Sequence, residues 1–158
     1  VILVLSDTLC HTLYMKYAIA ILLHIALTGC GATYSDDLNG VYMDAEFEPY
    51  FQEFLREGHL ANVDRIGIFF GETPAGKTAQ CYPIGSPTIV VSRAIFENMT
   101  EAKRKALIFH ELGHCVLGRL FHNDSKFDDG CPASFMYYVP PSDNCLRTHW
   151  EEYVRELF

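Results

Sequence analysis

Thr100-Glu101-Ala102-Lys103-Arg104-Lys105-Ala106-Leu107-Ile108-Phe109-His110-Glu111-Leu112-Gly113-His114-Cys115-Val116-Leu117-Gly118 is the stretch on which the fold turns. Thr100 suits an N-cap, because its hydroxyl can accept from an otherwise unpartnered N–H of the first turn, and Gly118 suits a C-terminal stop. The spacing therefore predicts a helix from residue 101 to about residue 117. At about 100° per residue, Ile108, Phe109, Leu112, Cys115 and Val116 fall on one side of it, and His110 and His114 on the other. The first side seeks a core, and the second is free to line a cleft. His110-Glu111-Leu112-Gly113-His114 matches His-Glu-x-x-His. Four residues are slightly more than one turn, so both imidazoles can reach one ion, while Glu111 sits where it can polarise a metal-bound water. Cys115 points to the core side and is not expected to be a ligand.

Upstream, residues 47–55 (Phe47-Glu48-Pro49-Tyr50-Phe51-Gln52-Glu53-Phe54-Leu55) repeat apolar side chains at spacings of three and four, with Gly58 beyond as a stop, and predict an amphipathic helix. Strand-like runs follow at residues 65–70, 77–82 and 88–92, separated by Gly/Pro turns such as Gly71-Glu72-Thr73-Pro74-Ala75-Gly76. Downstream, an irregular stretch of about thirty residues leads to Thr148, which with Glu151 forms a capping box for a closing helix to residue 158. The expected fold class is α+β. One small domain spans residues 41–158, with a short mixed β-sheet packed on an N-terminal helix and the histidine-bearing helix, an irregular loop, and a C-terminal helix.

A chain of 158 residues, nearly half of them apolar, has the size of one ordinary domain. With 20 acidic against 12 basic residues, and no basic run longer than Lys103-Arg104-Lys105, its field should repel phosphate backbones, so no nucleic-acid partner is expected.

Two histidines leave a hydrolytic zinc one ligand short, since such sites use three protein ligands and keep a fourth position for water. Gly118 and His122 follow His114, giving His-Glu-x-x-His-x-x-x-Gly-x-x-x-His. This resembles the metzincin metallopeptidases, whose pattern is His-Glu-x-x-His-x-x-Gly-x-x-His followed by a Met-containing turn. Here the glycine arrives one residue late and the histidine two. Gly118 in a left-handed turn would let Arg119-Leu120-Phe121 bring His122 back under the metal, with Asp124 or Asp128 as alternative third ligands. Ser134-Phe135-Met136-Tyr137-Tyr138 is similar to the Ser-x-Met-x-Tyr of astacins and serralysins, in which the methionine lies beneath the ligands and the tyrosine reaches the metal or the reacting carbonyl.

The resemblance covers roughly residues 100–138. It implies a Zn2+ cofactor held by His110, His114 and His122, a structural Met136, and a protein or peptide substrate. Glu111 would then be general base on zinc-bound water, with Tyr138 stabilising the oxyanion. A gluzincin-like site completed by Glu151 or Glu152 is the alternative within peptidases. A non-catalytic metal-binding or structural lipoprotein is the alternative outside them, and Glu111 argues against it, because a structural zinc has no use for a general base. His59 and His149 are left out as ligands.

At the other end, Met15-Lys16, an apolar run over residues 17–27 and Thr28-Gly29-Cys30 follow the order of a secretory signal, too short for a spanning helix of roughly 20 residues. Leu27-Thr28-Gly29-Cys30 resembles the bacterial lipobox. That resemblance implies a lipoprotein signal peptide over residues 15–29, lipid on Cys30, a tether over residues 30–40, and attachment to a membrane of the bacterial cell envelope. Gly31 after the cysteine is similar to outer-membrane sorting signals. Residues 1–14 read as a non-functional upstream extension. Beyond Cys30 the four cysteines that follow, Cys81, Cys115, Cys131 and Cys145, suggest two disulfides in an exported chain, with three connectivities open.

Overall fold

Residues 40–158 are described by the computed structural model, so the signal segment, Cys30 and most of the tether lie outside the described residues. The chain enters through a short strand β1 (Val41–Met43), a 3-10 turn (Ala45–Phe47) and helix α1 (Glu48–Glu57), then β2 (Ile66–Phe70), β3 (Ala79–Tyr82) and β4 (Thr88–Val91). A one-turn helix α2 (Arg93–Phe96) precedes the long helix α3 (Glu101–Cys115), and α4 (Asp143–Leu157) closes the fold. The sheet order is β1-β2-β4-β3. β1, β2 and β4 run parallel and β3 pairs antiparallel to β4, with Cys81 opposite Ile89. The sheet is mixed, the helices pack on it, and the fold is a small single α+β domain, as expected.

The apolar spacing of α1 explains its seat. Phe47, Tyr50, Phe51 and Phe54 are buried, and Phe54 meets Phe109 of α3 edge-on, with ring centroids 5.4 Å apart. Phe109 is fully buried and also touches Phe135 and Trp150, each with centroids at 5.5 Å. One ring of α3 thus joins α1, the irregular loop and α4. Truncating a buried aromatic at such a junction costs about 3–5 kcal/mol. With Ile108 and Leu112 also fully buried, α3 is clamped on its apolar side, which leaves the histidine side to line a cleft.

Several boundaries differ from the sequence expectation. β1 and α2 were not expected; each has only three or four residues, too few to show a period. The closing helix starts at Asp143 rather than after Thr148. Ser142, preceded by Pro140-Pro141, is the actual cap, its side chain accepting from the Cys145 N–H. Thr148 and Glu151 lie inside α4. The backbone departs from helical angles at His149, whose ring stacks on Phe127 at 4.1 Å and pairs with Asp129. A second helical start was therefore legible at a kink, not at the helix end.

The segment 116–142 is irregular but tied down. Asn123 N–H donates to the Met136 carbonyl (2.8 Å), Ala133 N–H to Ser125 (2.9 Å) and Phe127 N–H to Cys131 (2.8 Å). The disulfides are Cys81–Cys115, joining β3 to the end of α3, and Cys131–Cys145, joining the loop to α4. The second spans 14 residues, and closing a loop of that size in the unfolded chain is worth about 3 kcal/mol in the chain-entropy account.

Candidate metal centre

Thr100 caps α3 as expected, its side chain accepting from the Lys103 N–H. Nearly three turns later the helix delivers His110 and His114 to one face, their Nε2 atoms 3.1 Å apart. Gly118 is left-handed (φ 68°) and Arg119 N–H returns to the Gly113 carbonyl. The chain therefore doubles back and sets the exposed His122 ring 5.2 Å, centroid to centroid, from both other rings. One nitrogen of each histidine lies within 4.8 Å of the others. Asp124, Asp128, Glu151 and Glu152 do not join this group; the third donor beside the helical pair is His122.

The two helical histidines are oriented by carbonyls. His110 Nδ1 donates to Phe135 O at 2.7 Å, and His114 Nδ1 donates to Arg119 O. A carbonyl can only accept, so each Nδ1 carries the hydrogen and each neutral ring presents its Nε2 lone pair to the other. Burial holds the His110 pKa down to about 4, against the Phe135 carbonyl, and His114 and His122 push the same way. His114 is lowered too, first by burial. Two lone pairs facing each other at 3.1 Å repel unless a cation lies between them. Donors around a zinc at about 2.0–2.1 Å stand roughly 3.3 Å apart, so the donor set suits a metal of that kind.

Glu111 is 5 % exposed and faces the edge strand. Burial pushes its carboxyl up to about 7, opposed by a backbone hydrogen bond from Cys81 and by the charge of Lys77. A carboxyl poised near neutrality beside a metal donor set fits proton transfer. Met136 is buried beneath the helix. A methyl group on Gly113 would meet its sulfur at 2.6 Å and Leu157 at 3.2 Å. That close approach accounts for a glycine inside a helix, where it costs about 1 kcal/mol relative to alanine. Tyr138 lines the same cleft, half exposed, with its hydroxyl accepting from Tyr137 at 3.3 Å. The cleft, of about 530 Å³, is bounded by residues 76–81, by α3 at Leu107, His110, Glu111 and His114, and by residues 137–141.

A second group, Asp129, Cys131 and His149, also brings donors together. Cys131 is bonded to Cys145, so it offers no thiolate, and the other two are hydrogen-bonded to each other at 2.8 Å. Sequence reasoning missed Gly113, Arg119, Ser134 as a hydrogen-bonding residue, and Glu156. Of these only Gly113, an unexplained glycine inside a helix, left a readable signal.

The model of the family described as "Putative phage metallopeptidase" matches residues 62–158, from just before β2 through α4. The chain belongs to this family. No curated protein and no solved structure matches it. Membership in the phage metallopeptidase family implies a metal ion and a protein or peptide substrate, and the three histidines are a group that could hold the ion.

Proposed function

We propose that this phage metallopeptidase family member is a zinc-dependent, metzincin-like endopeptidase. The observation that carries the reading is the three-histidine donor group, two of whose rings are fixed by backbone carbonyls. His110, His114 and His122 would hold zinc, which when bound makes water more acidic and polarises a carbonyl. Glu111 takes the proton from the attacking water and passes it to the leaving amine. Tyr138 offers its hydroxyl to the oxyanion from the cleft wall, and Met136 supports the helix floor under the ligands. Treating the purified protein with a chelator should abolish peptide cleavage, and adding back one equivalent of zinc should restore it. Cleavage that survives complete metal removal sinks the reading.

The same proposal places the enzyme outside the cytoplasm. Residues 15–29 act as a lipoprotein signal, Cys30 carries lipid, and residues 30–40 tether the domain of residues 41–158 to the cell envelope, at the outer membrane. The support is the sequence Leu27-Thr28-Gly29-Cys30 after an apolar run, together with two disulfides, which persist in oxidising compartments. Among the described residues, no helix is long and apolar enough to cross a membrane. Labelled fatty acid should enter the parent and not the Cys30→Ser variant; equal labelling of both refutes the anchor.

A further inference from the structure

The carbonyls that orient His110 and His114 belong to residues 135 and 119, in a segment without regular structure. Something must hold these two carbonyls to within the tolerance of a metal site. Outer partners of metal-bound histidines matter at this scale, since losing one typically weakens metal binding about 10–100-fold. A backbone carbonyl cannot be deleted by substitution, so its position depends on what anchors its own stretch of chain.

Both stretches end on one carboxylate. Glu156, on the last turn of α4, accepts from Arg119 Nη1 at 2.7 Å through Oε1, and its backbone carbonyl accepts from Arg119 Nη2 at 2.5 Å. The same Oε1 accepts from Asn123 Nδ2 at 3.4 Å, beside His122. Its Oε2 accepts from Ser134 Oγ, which in turn accepts from the Met136 N–H at 2.8 Å. Asn123 N–H donates to Met136 O at 2.8 Å, closing the ring. The Arg119 end fixes the acceptor for His114, the Asn123 end adjoins His122, and the Ser134 end adjoins Phe135, the acceptor for His110.

We infer that Glu156 is the positioning residue of the metal centre, setting the three histidines through Arg119, Asn123 and Ser134 without touching metal or substrate. The inference rests on the three-histidine reading above. Both partners of the Arg119–Glu156 pair are about two-thirds buried (34 % and 29 % exposed), so the pair is shielded more than a surface pair, and its two guanidinium bonds go to the carboxylate and to the backbone carbonyl of the same residue, which fixes the orientation of Arg119.

The test uses the full chain as parent, Glu156→Gln, Ser134→Ala, which cuts only the arm to the 134–136 turn, and Arg155→Gln as a neighbouring control. Zinc affinity is measured by competition with a chromophoric chelator, the visible spectrum is recorded with Co2+ in place of zinc, and the melting temperature is taken without metal. Glu156→Gln should bind zinc about 10–100-fold more weakly and shift the cobalt bands, Ser134→Ala should do so less, and Arg155→Gln should match the parent. A Glu156→Gln protein that melts lower yet keeps parental zinc affinity and cobalt spectrum shows a structural role only and overturns the inference. Should that variant fail to fold, Ser134→Ala decides alone by the same readouts. A parent that binds no metal overturns the three-histidine reading, and this inference with it.

Discussion

Replacing Glu111 by glutamine should leave zinc bound and lower peptide turnover by about a hundredfold to ten-thousandfold, the usual contribution of a general acid–base group. The substitution keeps the side-chain volume in a site that is 5 % exposed and keeps an oxygen for the backbone hydrogen bond from Cys81. What it removes is the group that accepts a proton. The amide is uncharged and so costs less to bury than a carboxylate, and the helix should be unharmed. The check pairs metal content with kcat on one peptide. Unchanged kcat with zinc in place would mean that turnover does not use Glu111, and the general-base role would fall; a zinc-loaded parent with no turnover at all would leave the non-catalytic lipoprotein reading in its place.

His122→Ala should lose metal and turnover together, by more than the 10–100-fold typical of an outer partner, because it removes one of the three ligands themselves. His122 is exposed, so its removal costs little packing and the metal-free melting temperature should not move. Asp124→Ala and Asp128→Ala, the alternatives open from sequence, should keep zinc, since neither carboxylate joins the donor group. Retained zinc in His122→Ala, or zinc loss in either aspartate variant, would reassign the third ligand.

How much of this was legible in the sequence depended on distance along the chain. The helical face carrying His110, Glu111 and His114 follows from the 3.6-residue period alone, and the left-handed Gly118 from the absence of a Cβ. His122 and Met136 needed the family resemblance, because a loop of four to twenty residues has no period to read. The disulfide pairing stayed open because four cysteines allow three connectivities; only the packing of β3 on α3 and of the loop on α4 decides them. Arg119 and Glu156 were invisible for the same reason. Their bond spans 37 residues, and an Arg on a loop and a Glu on an amphipathic helix each read as ordinary surface charge. The start of α4 was misread because Thr148 and Ser142 both offer cap chemistry; Ser142 is the cap, and Thr148 sits beside the kink at His149, whose ring stacks on Phe127.

The most direct test of the central claim is X-ray absorption at the zinc edge on the purified, zinc-loaded protein. Three imidazole nitrogens and one oxygen donor at about 2.0–2.1 Å, with no sulfur, are predicted, and the imidazole signal should fall in His122→Ala. A sulfur at about 2.3 Å, or a zinc environment indifferent to His122, would contradict the three-histidine centre.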